Sequence, residues 1–303
     1  NHYAVSLLLT LSLCAGAATP VFQAPAHAKT KMLEGTAEGQ NPFRLQRLAL
    51  PLSQGIHLRL DPARSDYTGT TEIKLRVLQP TSSIEISGKD YTIERATLTP
   101  FARGKKHVLT VQDQNKDFGK LTLASLSQIM PGDYTLSIGF SAPFNLRSVG
   151  LYKTIHQQKP YLFTQFEDIE ARRAFPVFDE PEYKIPYTLT LEVPVDYQVY
   201  ANTPETQRTD LAGGWVQHQF APTPPIPSYL LAMTVGSFDE VPIPWLSAPG
   251  RLLAPTGQGK LSDYVVAETP AILKALEHYF GRDYPYAKLD FVAVPEFPFG
   301  AME

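Results

Sequence analysis

A chain of 303 residues, 43% hydrophobic and 19% charged, carries enough apolar material to bury one large core or two ordinary ones. Its 27 basic and 30 acidic residues leave a net charge of −3, which argues against nucleic acid or an anionic membrane as a partner. The 27 prolines, together with frequent Thr, Tyr and Val, favour strands joined by turns over long helices.

Residues 4–18 are apolar or small, and Ala26-His27-Ala28 has the A-x-A form of a signal-peptidase site. Residues 1–28 therefore read as a signal peptide, with Lys29 as the first mature residue and an exported, periplasmic or secreted product. A membrane anchor needs about 20 continuous apolar residues. Pro20, Gln23 and Pro25 interrupt this stretch too early, so no stable membrane insertion is expected. Because the chain opens on Asn1 without a basic lead, the expectation is that residues precede it. The single cysteine, Cys14, falls inside this segment, so the mature chain is expected to use neither disulfides nor thiol chemistry. Residues 29–41 are polar and read as a disordered lead-in.

Residues 42–240 read as an antiparallel β-sandwich. Ile56-His57-Leu58-Arg59-Leu60, Ile73-Lys74-Leu75-Arg76-Val77, Tyr134-Thr135-Leu136-Ser137-Ile138 and Tyr187-Thr188-Leu189-Thr190-Leu191 each alternate apolar and polar side chains. Asp61-Pro62, Gln79-Pro80, Pro131-Gly132-Asp133 and Ala212-Gly213-Gly214 mark turns between strands. Residues 241–303 read as the start of a second domain, entered through a Pro- and Gly-rich hinge at 241–259. There, Thr269 as cap, Pro270 at the first position and Gly281 at the exit outline a helix with Ile272, Leu273, Leu276 and Phe280 on one face. An alternative start at Ser262 would leave Pro270 inside the helix. A strand follows at Leu289-Asp290-Phe291-Val292-Ala293-Val294. This portion cannot bury itself, and Leu276, Phe280 and Phe291 are expected to present open apolar surface.

Several catalytic signatures are missing. The seven histidines include no pair four apart, as one zinc-binding helix face requires; Glu277-His278 comes nearest, but Arg282 occupies the fourth position onward. No nucleophile elbow and no phosphate-cradling glycine loop is present. Two acidic motifs remain. Gln165-Phe166-Glu167 follows an apolar strand, and an extended i, i+2 pair directs an amide and a carboxylate to one face, suited to an ammonium group. Gly300-Ala301-Met302-Glu303 combines close backbone access with a negative charge. Glu170, Arg172 and Arg173 read as ion pairs at a bend, and Phe175-Pro176-Val177-Phe178-Asp179-Glu180-Pro181 as a packed turn.

Taken in order, these segments resemble a family. Thr164-Gln165-Phe166-Glu167, Glu170-Ala171-Arg172-Arg173-Ala174-Phe175-Pro176 and Phe178-Asp179-Glu180-Pro181 resemble the N-terminal region of the M1 zinc aminopeptidases. Ala201-Asn202-Thr203-Pro204, Pro227-Ser228-Tyr229-Leu230 and Lys288-Leu289-Asp290-Phe291 follow in the family's order. The chain then reaches Gly300-Ala301-Met302-Glu303, similar to the family's Gly-Ala-Met-Glu-Asn motif.

The resemblance implies a mainly β fold: an N-terminal sandwich followed by the truncated start of a thermolysin-like α+β catalytic domain. It implies that Glu167 and Glu303 grip the α-ammonium of a peptide substrate, with Gln165 beside the first side-chain pocket. Gly300 and Ala301 would present backbone to an extended peptide, Met302 would complete the motif, and Phe299 would line the first pocket. It implies zinc as cofactor, polarising the scissile carbonyl, with ligands expected beyond residue 303. The 303 residues alone are therefore expected to be inactive. One branch of the family has Gln where Glu167 stands and also opens an epoxide; the Glu here points to plain aminopeptidase chemistry. The alternative is a related β-sandwich that serves as a non-catalytic interaction module.

Overall fold

The computed structural model describes residues 43–295 and Phe297. Residues 1–28, expected to be a signal peptide, residues 29–41 and the Gly300-to-Glu303 motif lie outside the described residues.

Seventeen strands occur among the described residues. Ten form one mixed sheet: β1 (Ala49–Arg59), β2 (Asp66–Val77), β3 (Thr81–Ser87), β4 (Thr92–Pro100), β5 (His107–Asn115), β6 (Lys120–Ile129), β7 (Gly132–Pro143), β10 (Tyr187–Pro194), β12 (Glu205–Leu211) and β13 (Trp215–Phe220). Their order across the sheet is β12-β13-β10-β1-β2-β7-β4-β5-β6-β3. Neighbours are antiparallel except β1 and β10, which run parallel. A second sheet holds β8 (Gly150–His156), β9 (Lys159–Gln165), β11 (Gln198–Ala201) and β14 (Met233–Gly236), in the order β11-β14-β9-β8. A third holds β15 (Phe238–Ile243), β16 (Gly250–Pro255) and β17 (Leu289–Val292), with α1 (Asp263–Phe280) between the last two.

The period-two segments lie where the sequence places them. Ile56, Leu58, Ile73, Leu75, Leu136, Ile138, Leu189 and Leu191 all turn inward and are buried. They meet Leu151, Leu162, Val199, Met233 and Val235 of the second sheet in one continuous core. That second sheet is covered on both faces, which is why β9 reads as an unbroken apolar run instead of alternating. Leu162 joins the main core, while Tyr161 and Phe163 join Tyr152, Tyr200, Phe238 and Leu253 in a separate aromatic core. The Gly213-Gly214 turn between β12 and β13 has φ of 77° and 75°, a left-handed backbone that glycine adopts without steric cost.

The supposed hinge at 241–259 is instead structured, because β15 and β16 pair through it from Phe238↔Pro255 to Ile243↔Gly250. Pro242 is accommodated because β15 is an edge strand, where a missing N–H interrupts no ladder on the open side. The helix takes the earlier of its two starts, with Ser262 as N-cap and Pro270 in its interior. The turns added before Pro270 carry side chains that pack on the sheet. Val265 and Val266 pack against the third sheet and Leu273 is buried, whereas Ile272, Leu276 and Phe280 are 57%, 48% and 67% exposed. Those three border an open apolar groove with Tyr284, Tyr286 and Phe291.

The exit of α1 follows the sequence signal. Gly281 is left-handed with φ of 67°, and the amides of Gly281 and Arg282 return to the carbonyls of His278 and Glu277. Gly281→Ala is expected to destabilise the chain by about 1 kcal/mol, since an L side chain there is strained; a urea titration checks this.

Candidate functional site

β9 ends at Gln165, which pairs across the sheet with Gly150. Phe166 then anchors the exit: it is fully buried and meets Phe175 edge-to-face at 5.6 Å. Glu167 begins a turn, closed when the amide of Glu170 donates to the Phe166 carbonyl at 2.8 Å. Gln165 and Glu167 are thus neighbours, but strand pleating is not the cause, because the strand has already ended. The Gln165 Oε1 atom accepts the backbone N–H of Glu167 at 3.2 Å. Gln165 is 1% exposed, and its Nε2 donor has no hydrogen-bond partner among the described residues. Glu167 is half-buried.

The charged residues that follow do structural work. Arg172 and Asp179 form an ion pair at 3.0 Å, with side chains 8% and 1% exposed, so this is a buried pair and not a surface one. Arg172 also donates through Nη1 to the Phe118 carbonyl at 3.0 Å and through Nη2 to the Asp179 carbonyl at 2.9 Å. Asp179 further accepts the Arg172 main-chain N–H and the Ser228 hydroxyl. Burial pushes the Asp179 carboxyl above its ordinary value, opposed by the Arg172 charge and the hydrogen bonds from Ser228 and Arg172. Arg173 pairs with Glu170 and Asp90, as the bend reading expected.

The same segment is pinned to the large sheet. Tyr67 Oη donates to the Ala174 carbonyl at 2.8 Å, and Gln54 Nε2 donates to the Pro176 carbonyl at 2.8 Å. Ser87 and Val177 exchange backbone hydrogen bonds, and Glu180 accepts the Leu45 amide at 2.7 Å. The turn carrying Glu167 is therefore held rigidly at its C-terminal side.

A cleft of about 330 Å³ reaches Thr164, the residue before Gln165. Thr164 and Tyr200 border it on the second sheet, Asn202 just past β11, and Lys288, Asp290 and Phe297 on the side of β17. It brings the residue before Gln165 close to the polypeptide that runs on from β17. Gly300, Ala301, Met302, Glu303 and Phe299 lie outside the described residues, so the second half of the expected ammonium site has no geometry here.

Among the described residues no three His, Cys, Asp or Glu side chains converge as a metal-binding group, so these residues do not supply a zinc site. Glu277 is engaged otherwise: it accepts the Tyr284 amide at 2.8 Å and the Ser247 hydroxyl, and His278 is exposed. Among the described residues no helix is long and apolar enough to cross a membrane.

The profile of the Peptidase M1 N-terminal domain matches residues 50–230. The chain belongs to the M1 peptidase family. This M1 chain is 31% identical to aminopeptidase N of Acetobacter pasteurianus, over 92% of its own length and 78% of that protein. It is 28% identical to aminopeptidase M1-D of Oryza sativa subsp. japonica, over 90% of the chain and 31% of the relative. Endoplasmic reticulum aminopeptidase 1 of Homo sapiens is 27% identical, over 98% of the chain and 32% of the relative. The chain thus spans about a third of the length of the rice and human relatives. The motif order anticipated the family. It did not anticipate that Arg172, Asp179 and Ser228 form one buried cluster, although all three stand in quoted motifs.

Proposed function

We propose that this chain is the substrate-recognising N-terminal part of an exported zinc aminopeptidase that removes N-terminal residues from peptides. Export rests on the signal-peptide reading of residues 1–28. In this reading Glu167, steadied by Gln165, receives the α-ammonium of the substrate together with Glu303. Gly300 and Ala301 offer main-chain hydrogen bonds to the extended peptide, and Met302 completes that loop. Bond cleavage, with zinc, belongs to polypeptide beyond residue 303.

One observation supports the reading: a half-buried Glu167 whose amide is held by the Gln165 side chain at the exit of β9, three residues past Thr164, which borders the same cleft as Phe297. In this reading two carboxylates brought together favour a cation between them, which makes the free amino end the preferred ligand. A substrate lacking that charge would forgo this interaction, and sites built to receive a polar group discriminate strongly against its omission.

The test uses a full-length M1 polypeptide containing this chain. Nα-acetylation of a good aminoacyl substrate is expected to lower kcat/KM by about 10³-fold or more. Equal turnover of free and acetylated substrates would overturn the reading.

A further inference from the structure

The ten-stranded sheet has two edges. At one, β3 is covered, because Ser87 bridges Val177 on its outer side as well as Lys120 of β6. At the other lies β12, and among the described residues nothing bridges its outer side. Glu205, Thr206, Gln207, Arg208 and Asp210 of β12 are exposed. An open edge presents unpaired N–H and C=O groups to any strand that aligns with it, and lysine, proline or a bulge commonly blunts it. β12 contains neither lysine nor proline, and its register shift against β13 is confined to Glu205–Gln207. From Gln207↔Gln219 to Leu211↔Trp215 the pairing is unbroken, so residues 207–211 form a regular template.

The charges on that template select a partner. Arg208 and Asp210 share one face of β12, opposite His218 and Val216 of β13. Both are exposed and have no ion-pair partner among the described residues. Two copies of one strand, paired antiparallel, align residues of like main-chain orientation, so facing residues differ by an even number. Centring the pairing on Arg208 or on Asp210 sets a charge against its own kind, which destabilises a sheet. Centring it on Gln207 or Leu211 runs it into the register shift or the Gly213-Gly214 turn. Centring it on Thr209 sets Arg208 of each copy against Asp210 of the other, with Gln207 opposite Leu211 on the other face. Only this register makes two opposite-charge pairs.

We propose that β12 is a pairing edge for a second copy of this chain, the two strands running antiparallel and centred on Thr209. The ten-stranded sheet then continues across the two-fold axis into its counterpart. Main-chain hydrogen bonds supply the attraction, and the Arg208–Asp210 pairs fix the register. Such an interface uses the same patch on both copies, so it closes at two. It is small, and association is expected to be weak, with half-dissociation at roughly 10 µM.

The experiment is sedimentation velocity on a full-length M1 polypeptide containing this chain, over about 1–100 µM, for the parent, R208D, D210R and R208D/D210R. The parent is expected to dimerise across this range. R208D and D210R each oppose like charges at both pairs and are expected to weaken dimerisation about tenfold or more. The double variant exchanges the two charges and is expected to return to within about threefold of the parent. A thermal melt of each variant separates lost pairing from lost folding. Cross-linking under oxidation reads the register. T209C places its Cα about 5 Å from the counterpart across the axis, within disulfide reach. Q207C faces Leu211 and lies roughly 14 Å from its counterpart. T209C is therefore expected to give a cross-linked dimer and Q207C none. A parent that stays monomeric at about 100 µM would overturn the inference and leave this edge to polypeptide beyond residue 303. Dimerisation indifferent to both R208D and D210R, or cross-linking through Q207C in place of T209C, would overturn it equally.

Discussion

Asp179→Ala is expected to lower the stability of the chain by about 3–5 kcal/mol, the usual effect of stranding one member of a buried ion pair. The Asp179 side chain is 1% exposed and faces an Arg172 side chain that is 8% exposed. Its loss leaves a buried guanidinium with only two carbonyl acceptors, those of Phe118 and residue 179, and frees the Arg172 amide and the Ser228 hydroxyl from their acceptor. The combined replacement R172M/D179L removes both charges and is expected to recover most of the loss, because well-packed apolar groups often substitute for a buried pair. Urea denaturation of the chain measures both. A single variant within about 1 kcal/mol of the parent would contradict the assignment.

The pH dependence follows from the same group. Burial raises the Asp179 pKa in the folded state, so the folded chain keeps this proton to higher pH than the unfolded chain. Its contribution to stability is complete below the ordinary carboxylate value and declines as pH rises toward the raised one. That decline should be absent in R172M/D179L.

Much of this architecture was legible because it obeys local rules. Strands such as β2 and β7 announce themselves by alternation, since only one of their faces meets the core. The αL exit at Gly281 was equally plain. The helix start was legible only as two alternatives. Pro270 suits a first helical position, and only packing of Val265 and Val266 against the third sheet carries the helix back to Ser262. The supposed hinge failed for a related reason. Proline signals a break locally, yet on an edge strand it removes nothing that pairs. At the candidate site, Gln165 and Glu167 were found by spacing, but the reason for their proximity is a side-chain-to-backbone bond after the strand ends. The Arg172–Asp179–Ser228 cluster and the reach of Lys288 to Ala201 join residues distant in the chain, and no local pattern encodes such partners.

Glu167→Gln is the second large effect. The change keeps the size and the backbone hydrogen bond from which Gln165 steadies this turn, so the fold should be undisturbed. In the proposed function, what is lost is one of the two negative charges that receive the substrate's ammonium. Removing one member of a desolvated charge pair commonly costs about 2–5 kcal/mol, and kcat/KM for free-amine substrates is expected to fall about 10²-fold. Des-amino analogues never used that charge, so their turnover should change little or improve.

The decisive measurement is therefore the ratio of kcat/KM for an aminoacyl substrate to that for its des-amino analogue, taken for parent and E167Q in a full-length M1 polypeptide containing this chain. Recognition of the amino end by Glu167 predicts that the ratio collapses by about 10²-fold in the variant. A ratio unchanged between the two proteins would contradict it.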